Sequence, residues 1–391
     1  MDHGKRSSSP KLYISSSHNE LREENDTHAN WAWSVSLSQV VGTIVQAGYQ
    51  TVERGSDYFW IRFMFVNGLI IEGSGTLNGN GPYWWSHNCR FNMLDVAACP
   101  LPVFGGLPVN FLEQSLHFHG CNGLQLDGLH FKDSARGHIS LSNMNGATIS
   151  NLRISAPGNS RNTDGIDISD SSHIQIRDSF IGTGDDCVAI GGGSSFINIS
   201  NVLCGPGHGI SVGSLGAKGA RDTVEEVHVN NCNFTNTMYG LRIKTWQGGS
   251  GYARKITFDK IHVNNVGVPI FIDQYYCNGG NNCGISVSKA TYIFFRFILI
   301  LRLDLQKHLT NKTMEMIYLL LKSSAVQVSD VSFRGVTGTS SSQDAIKLSC
   351  SRTVGCTNIF MQDINIHPGK ASCINAHGRA VRTLPAACLS P

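Results

Sequence analysis

The chain has 391 residues, of which 42 are Gly and only 15% are charged, enough for one large β domain or two ordinary ones and too sparsely charged for a coiled coil or an acidic disordered chain. A formal net charge of +3 suits an acidic polymer weakly and falls far short of a nucleic-acid binder's basic stripe. The twelve cysteines show no CxxC or Cys/His ligand spacing, which favours disulfides made in an oxidising compartment over a metal site.

Residues 1–57 form an atypical segment, and 1–30 within it is Ser- and charge-rich, read as loop or disorder. The polar stretch 1–10 lacks an apolar run ahead of a small-residue cleavage site, so no signal peptide is expected. Glycosylation acceptors at Asn25, Asn198 and Asn233 nevertheless fit secretion. The texture changes near Phe59, and residues 58–391 read as a single β domain. Tyr83, Trp84 and Trp85 are expected to cover one end of its core.

After Leu116 a short pattern recurs: Leu124-Gln-Leu126, Ala147-Thr-Ile149, Ile174-Gln-Ile176, Ile197-Asn-Ile199, Val227-His-Val229 and Ile256-Thr-Phe258. Each is apolar-polar-apolar, the period of a strand with one buried face. Their last residues stand 23, 27, 23, 30 and 29 apart, the signature of a solenoid whose coils share one continuous core. An α-solenoid needs runs of ten or more residues at helical spacing, and 116–280 holds none. The expected fold is therefore all-β, a single-domain parallel β-helix. Asn151, Asp178, Asn201 and Asn231 fall between strands, where turns need residues that tolerate left-handed backbone.

The interval then fails once. The next triplet, placed at Val326-Gln-Val328, stands 70 residues beyond Phe258, and the intervening 287–322 has no Gly. That segment reads as foreign to the fold, as a translated intron would, with a genuine helical insertion as the alternative. Its apolar run, 292–301, is interrupted by Arg296 and too short to span a bilayer.

Four polar clusters interrupt the strand-like texture: Asn162-Thr-Asp164, Gly184-Asp-Asp186, Gly207-His-Gly209 and Arg242-Ile-Lys244. Asp164, Asp186 and His208 are each 22 residues apart, and Arg242 and Tyr276 each follow the preceding member by 34. Coils of that length would set the clusters in one line on one face. Any one cluster alone is an ordinary turn or a solvated strand face; four in order, one per coil, are not. Two carboxyls flanking a sugar bond are the minimal kit for glycoside hydrolysis. Asp164, Asp185 and Asp186, brought within a coil of one another, would crowd like charges and raise the pKa of at least one. Arg242 and Lys244, both facing outward at i and i+2, suggest an anionic substrate. His208 could hydrogen-bond an Asp and help set its protonation.

In that order the four motifs closely resemble the polygalacturonases, the pectin-cleaving inverting glycoside hydrolases, over residues 60–285 and 324–391. Gln274-Tyr-Tyr-Cys277 and the Cys373/Cys388 pair look like the plant branch. The resemblance implies a right-handed parallel β-helix that hydrolyses α-1,4-galacturonosyl linkages. It implies Asp185 as general acid, Asp164 and Asp186 as the groups that activate water, and His208 as support for the acid's protonation. Arg242 and Lys244 would bind the galacturonate carboxylate, with Asn162 and Tyr276 lining the cleft. It further implies Cys187–Cys204, Cys277–Cys283, Cys350–Cys356 and Cys373–Cys388 bridges, no metal or other cofactor, and a monomeric, secreted cell-wall glycoprotein that acts on pectin, with no nucleic-acid or membrane partner. The family's usual opening, a signal peptide followed by Asp-Tyr-Gly-Ala and Asp-Asp-Thr motifs, is not found. Rhamnogalacturonan or xylogalacturonan hydrolysis is the nearest alternative. A Ca²⁺-dependent pectate lyase and an inactive pectin-binding or truncated product are others.

Overall fold

The computed structural model describes residues 33–34, 38–46, 59–86, 114–277 and 325–391, and over them the chain winds as a right-handed parallel β-helix. Successive coils lay one strand each on a ten-stranded sheet that runs from Phe59–Met64 through Ile139–Ser142, Ile166–Ser169, Val188–Ile190, Ile210–Leu215 and Tyr239–Trp246 to Lys370–Ile374. A sixteen-stranded sheet wraps the remainder of each coil. The alternation seen in the sequence decides which face is inside. Ile139, Ile166, Val188, Ile210, Leu241, Ile270 and Ile346 stack in register, each 0% exposed. Burying each side chain contributes roughly 1.5–3 kcal/mol, which a slip of one residue would forfeit along the whole strand.

All six expected triplets lie in strands of the second sheet and stack in one ladder. Asn151, Asp178, Asn201 and Asn231 bend the coil at φ of 55°, 52°, 55° and 53°. Their side chains form a rail down the outside: Asn231 Nδ2 donates to Asn201 Oδ1 at 2.7 Å and Asn201 Nδ2 to Asp178 Oδ1 at 2.8 Å.

Two placements differ from the sequence reading. The solenoid starts before residue 58, because Ser38–Val40 pairs with Ile71–Gly73 and Thr43–Val45 with Thr76–Asn78. The ladder resumes at Val331-Ser-Phe333 rather than Val326-Gln-Val328, since Phe258 pairs with Phe333 and Val328 with Ala253. The strand Ala325–Ser340 is long enough to hold both triplets, and periodicity alone could not choose between them. Ser250–Val266 and Ala325–Ser340 pair directly, so the coils on either side of 287–322 are immediate neighbours. That segment lies outside the described residues, as do 1–32.

The short helix Gly81–Ser86 carries the expected aromatic cover: Trp84 is buried, and Trp85 Nε1 donates to the Ala135 carbonyl at 3.1 Å. Cys187–Cys204, Cys350–Cys356 and Cys373–Cys388 form as expected. Cys277 is also disulfide-bonded; its expected partner, Cys283, is outside the described residues.

Candidate active site

The spacing argument holds for the first three clusters and shifts at the fourth. Counting two residues back from the stacked Ile166, Val188, Ile210 and Leu241 gives Asp164, Asp186, His208 and Tyr239, one per coil at the strand entrance. Arg242 belongs to the adjacent outward row, Ser140, Asp167, Ala189, Ser211, Arg242, Phe271 and Lys347. Its neighbour on the next coil is Phe271, not Tyr276. Tyr276 pairs with Trp246 across a bulge, which moves it off the interval of 34, and its ring lies 5.3 Å from Lys244 Nζ.

Local backbone geometry fixes the carboxyls. The Asp186 carbonyl accepts from Gly165 N–H at 2.9 Å and the Asp185 carbonyl from His208 N–H at 2.7 Å, tying three coils together. Gly184 N–H donates to Thr163 Oγ1 at 2.9 Å. A Cβ on Gly184 would stand 1.8 Å from the Ser160 carbonyl oxygen, so only glycine lets these turns approach.

Asp185 and His208 share a hydrogen bond, Oδ1 to Nδ1, at 2.9 Å, and one proton lies between them. Asn162 Nδ2 reaches Asp185 Oδ2 at a long 3.4 Å. Asp186, 1% exposed, accepts from Ser211 Oγ at 2.9 Å and from Arg242 at 2.5 Å on Oδ1, and from Lys244 Nζ at 2.7 Å on Oδ2. Arg242 and Lys244 are only 5% and 7% exposed. In the free protein both are engaged by Asp186, because an unpaired buried carboxylate would be far more costly.

The crowding of carboxyls does raise a pKa, that of Asp164. Burial first, then Asp167, Asp185 and Asp186, push Asp164 well above the usual carboxylate range. Burial also acts to raise Asp185, yet the hydrogen bond and charge of His208, with Lys244, outweigh it and hold that carboxyl below its ordinary value. The proton that Asp185 would deliver is therefore the one it shares with His208.

Three groups escaped the sequence reading. Asp167, half-buried, is raised to about 7 by burial and then by Asp186, and it accepts from Gln114 Nε2 at 3.1 Å. It is the second outward residue after Asp164, so strand alternation could have found it. His138 is fully buried beneath the site, its Nδ1–H donating to the Asp164 carbonyl at 3.0 Å and its Nε2 accepting from Ser134 N–H at 3.3 Å. Tyr239 lies under the Arg242 guanidinium at 4.3 Å. Neither showed in the sequence, because single His and Tyr residues carry no spacing signal.

One atom each of Asp185, Asp186 and His208 lies within 4.8 Å of the others, close enough to suggest an ion. The donors do not fit one: both Asp186 oxygens already face cations, and Asp185 Oδ1 is held by His208.

The Glycosyl hydrolases family 28 matches residues 37–294 and 319–387, which leaves 295–318 between the two matched parts. A probable polygalacturonase of Arabidopsis thaliana is 43% identical over 85% of this chain, and a second one from the same plant is 37% identical over 90% of this chain and 70% of its own length. The polygalacturonase of Malus domestica is 36% identical over 86% of this chain and 63% of its own length. The chain spans 62% of the length of the first of these relatives. Among solved structures, the endo-xylogalacturonan hydrolase of Aspergillus tubingensis superposes with a TM-score of 0.65 at 20% identity, covering 90% of this chain and 85% of that one. The polygalacturonase of Erwinia carotovora superposes with 0.56 at 20% identity, covering 89% of this chain and 85% of that one; at such identity the likeness concerns the fold. With its four motifs on consecutive coils of a β-helix, and with these matches over most of its length, the chain belongs to glycosyl hydrolases family 28, beside the plant polygalacturonases.

Proposed function

We propose that the protein hydrolyses α-1,4-galacturonosyl linkages in pectin by acid–base catalysis with inversion. The observation that carries this reading is the convergence of Asp164, Asp185 and Asp186 from consecutive coils beside Arg242 and Lys244. Asp185, replenished through His208, donates to the leaving glycosidic oxygen. Water held between Asp164 and Asp186 attacks the anomeric carbon as the bond to the leaving oxygen breaks, and its proton passes to the Asp186 carboxylate.

The Asp185 and Asp186 oxygens approach within 4.8 Å, closer than the roughly 6.5–9.5 Å usual between the carboxyls of inverting enzymes. Inversion still follows from the partners of Asp186. With Arg242 and Ser211 on one oxygen and Lys244 on the other, three of its roughly four lone-pair sites are engaged, which makes it a poor nucleophile toward a sugar but leaves one site to hold water. An anionic substrate would enter a site with two cations at its floor, and donors of Arg242 and Lys244 not used by Asp186 can meet its carboxylate.

Secretion to the cell wall and glycosylation belong to the same proposal. Asn198 and Asn233 both lie exposed on strands, accessible to modification. No helix among the described residues is long and apolar enough to cross a membrane.

The test is release of reducing ends from de-esterified pectin, beside Asp185→Asn. The variant should lose on the order of 10²–10⁴ in rate. Wild-type release no greater than the variant's defeats the proposal, and an unsaturated, ultraviolet-absorbing product would assign a lyase instead.

A further inference from the structure

Resting on that reading, we infer that Lys347 and Phe271 form a second uronate subsite, two coils beyond Arg242 toward the C-terminal end of the cleft. The outward row of the ten-stranded sheet passes from Arg242 to Phe271 to Lys347, each directly hydrogen-bond-paired with the next strand. Strands in a sheet stand about 4.8 Å apart, so Lys347 is displaced from Arg242 by roughly twice that along the helix axis.

Three observations point to a ligand there. The first is charge. Arg242 and Lys244 are both ion-paired with Asp186, whereas Lys347 has no hydrogen-bonded anion among the described residues. Asp273, one row over beside Lys244, is close enough for Lys347 to act on its carboxyl, yet it forms no ion pair among the described residues and accepts from Tyr275 N–H at 3.0 Å. The second is a platform. His208, Tyr239 and Phe271 form a continuous strip, with ring centroids 6.2 Å apart and then 5.3 Å apart, and Lys347 Nζ lies 5.6 Å from the Phe271 ring. Tyr239 and Phe271 stack on each other, so these half-buried rings present apolar edges along which sugars can lie, and the strip leads from the reacting centre to the Lys347 ammonium.

The third is repeat length. In an extended 1,4-linked chain whose neighbouring sugars alternate in facing, the carboxylates of sugars n and n+2 point the same way. Each sugar is about one strand spacing long, so two sugars span about two coils. A substrate with one carboxylate at Arg242 and Lys244 therefore brings the carboxylate two sugars along to Lys347, with the intervening ring over Phe271. The ammonium is a flexible point charge, which tolerates the mismatch between sugar and coil. Lys347 thus sets the length and charge of substrate preferred, and takes no part in bond cleavage.

The experiment compares KM and kcat of the full chain, Lys347→Ala, Lys347→Arg and Phe271→Ala on galacturonate oligomers from trimer to octamer. For Lys347→Ala, KM on the octamer should rise about ten-fold while kcat stays near wild type; the effect should fade as the oligomer shortens, and Lys347→Arg should restore most of it. Phe271→Ala should raise KM with the same dependence on length. Equal KM changes at every length, or none on the octamer, overturn the subsite while leaving the underlying activity intact. A wild-type chain that cleaves no oligomer removes the activity on which the subsite rests, and the subsite with it.

Discussion

Replacing Asp167 with Asn should stabilise the protein at neutral pH and leave it unchanged in acid. Asp167 titrates near 7 in the folded chain against 3.8 for an unperturbed carboxyl, because it is buried first and faces Asp186 second. Folding therefore takes up a proton between those values, and stability falls as pH rises through the window. The favourable state is fully present below about 4 and is lost above about 7. At 1.36 kcal/mol per pK unit, the gap between the folded and unperturbed values corresponds to a ceiling of roughly 4 kcal/mol. Asn keeps the size and can still accept from Gln114 Nε2 while remaining neutral throughout. Since Asp167 raises Asp164, the substitution also eases the ionisation of Asp164. The assay is thermal unfolding of both proteins from pH 4 to pH 8. His117 and His138, both lowered to about 4 chiefly by burial, add stability as pH rises over part of the same window, so the wild-type curve alone is uninformative and the difference between the two proteins isolates Asp167. That difference should grow to several degrees by pH 8, on the order of 5 °C. A difference that is constant with pH refutes the burial-and-repulsion account.

Further consequences can be checked separately. Nuclear magnetic resonance of the first product should show the β anomer, since Asp186 is too fully engaged to form a glycosyl intermediate. Arg242→Met leaves a buried carboxylate short of one partner, and should lower stability by about 3 kcal/mol in urea unfolding as well as abolishing cleavage; Asp186→Asn in the same background should recover part of the stability but no activity. Deleting 287–322 should preserve folding, because Ser250–Val266 and Ala325–Ser340 already pair across it, and a deletion variant that is insoluble or melts lower contradicts the reading of that segment as foreign. Transcript sequencing across the same codons tests its origin: an uninterrupted reading frame in abundant message would reject the intron explanation.

The parts of this molecule that could be read in its sequence are those that repeat. Alternation of apolar residues identifies strands because the pleat has a period of two, and the stacked Asn and Asp side chains at the corners repeat because each coil bends at the same place. Asp164, Asp186 and His208 were legible for the same reason: equal spacing places them two residues before stacked core positions. Arg242 showed as a candidate but not in its row, since a longer coil changed the register by three residues. The equal interval to Tyr276 was a coincidence, and the bulge before Trp246 is invisible to counting. Phe271 and Lys347 were missed because an aromatic and a lysine on a strand face mean little until the partner coil is known.

What resisted the sequence most was the direction of the electrostatics. Crowded carboxyls imply that some proton affinity rises, but which one depends on who is paired. Asp186 is most deeply buried of the three, yet it meets a guanidinium, an ammonium and a hydroxyl. Asp185 meets His208. Asp164, with no cation in direct contact among the described residues, therefore carries the penalty of burial with little relief, and Asp167 behind it is also raised by burial although Arg136 and Lys244 act against the rise. On the proposed function, a galacturonate entering the cleft would add another negative charge and displace water, both of which favour protonated carboxyls further. The shared proton on Asp185 and His208 would then be drawn toward the oxygen proposed to donate it, so that substrate binding would itself prepare the acid. On that proposal, an enzyme for a polyanion gains by keeping two buried cations on one carboxylate: they would hold Asp186 in place for water while the neighbouring acids respond to the charge of the substrate.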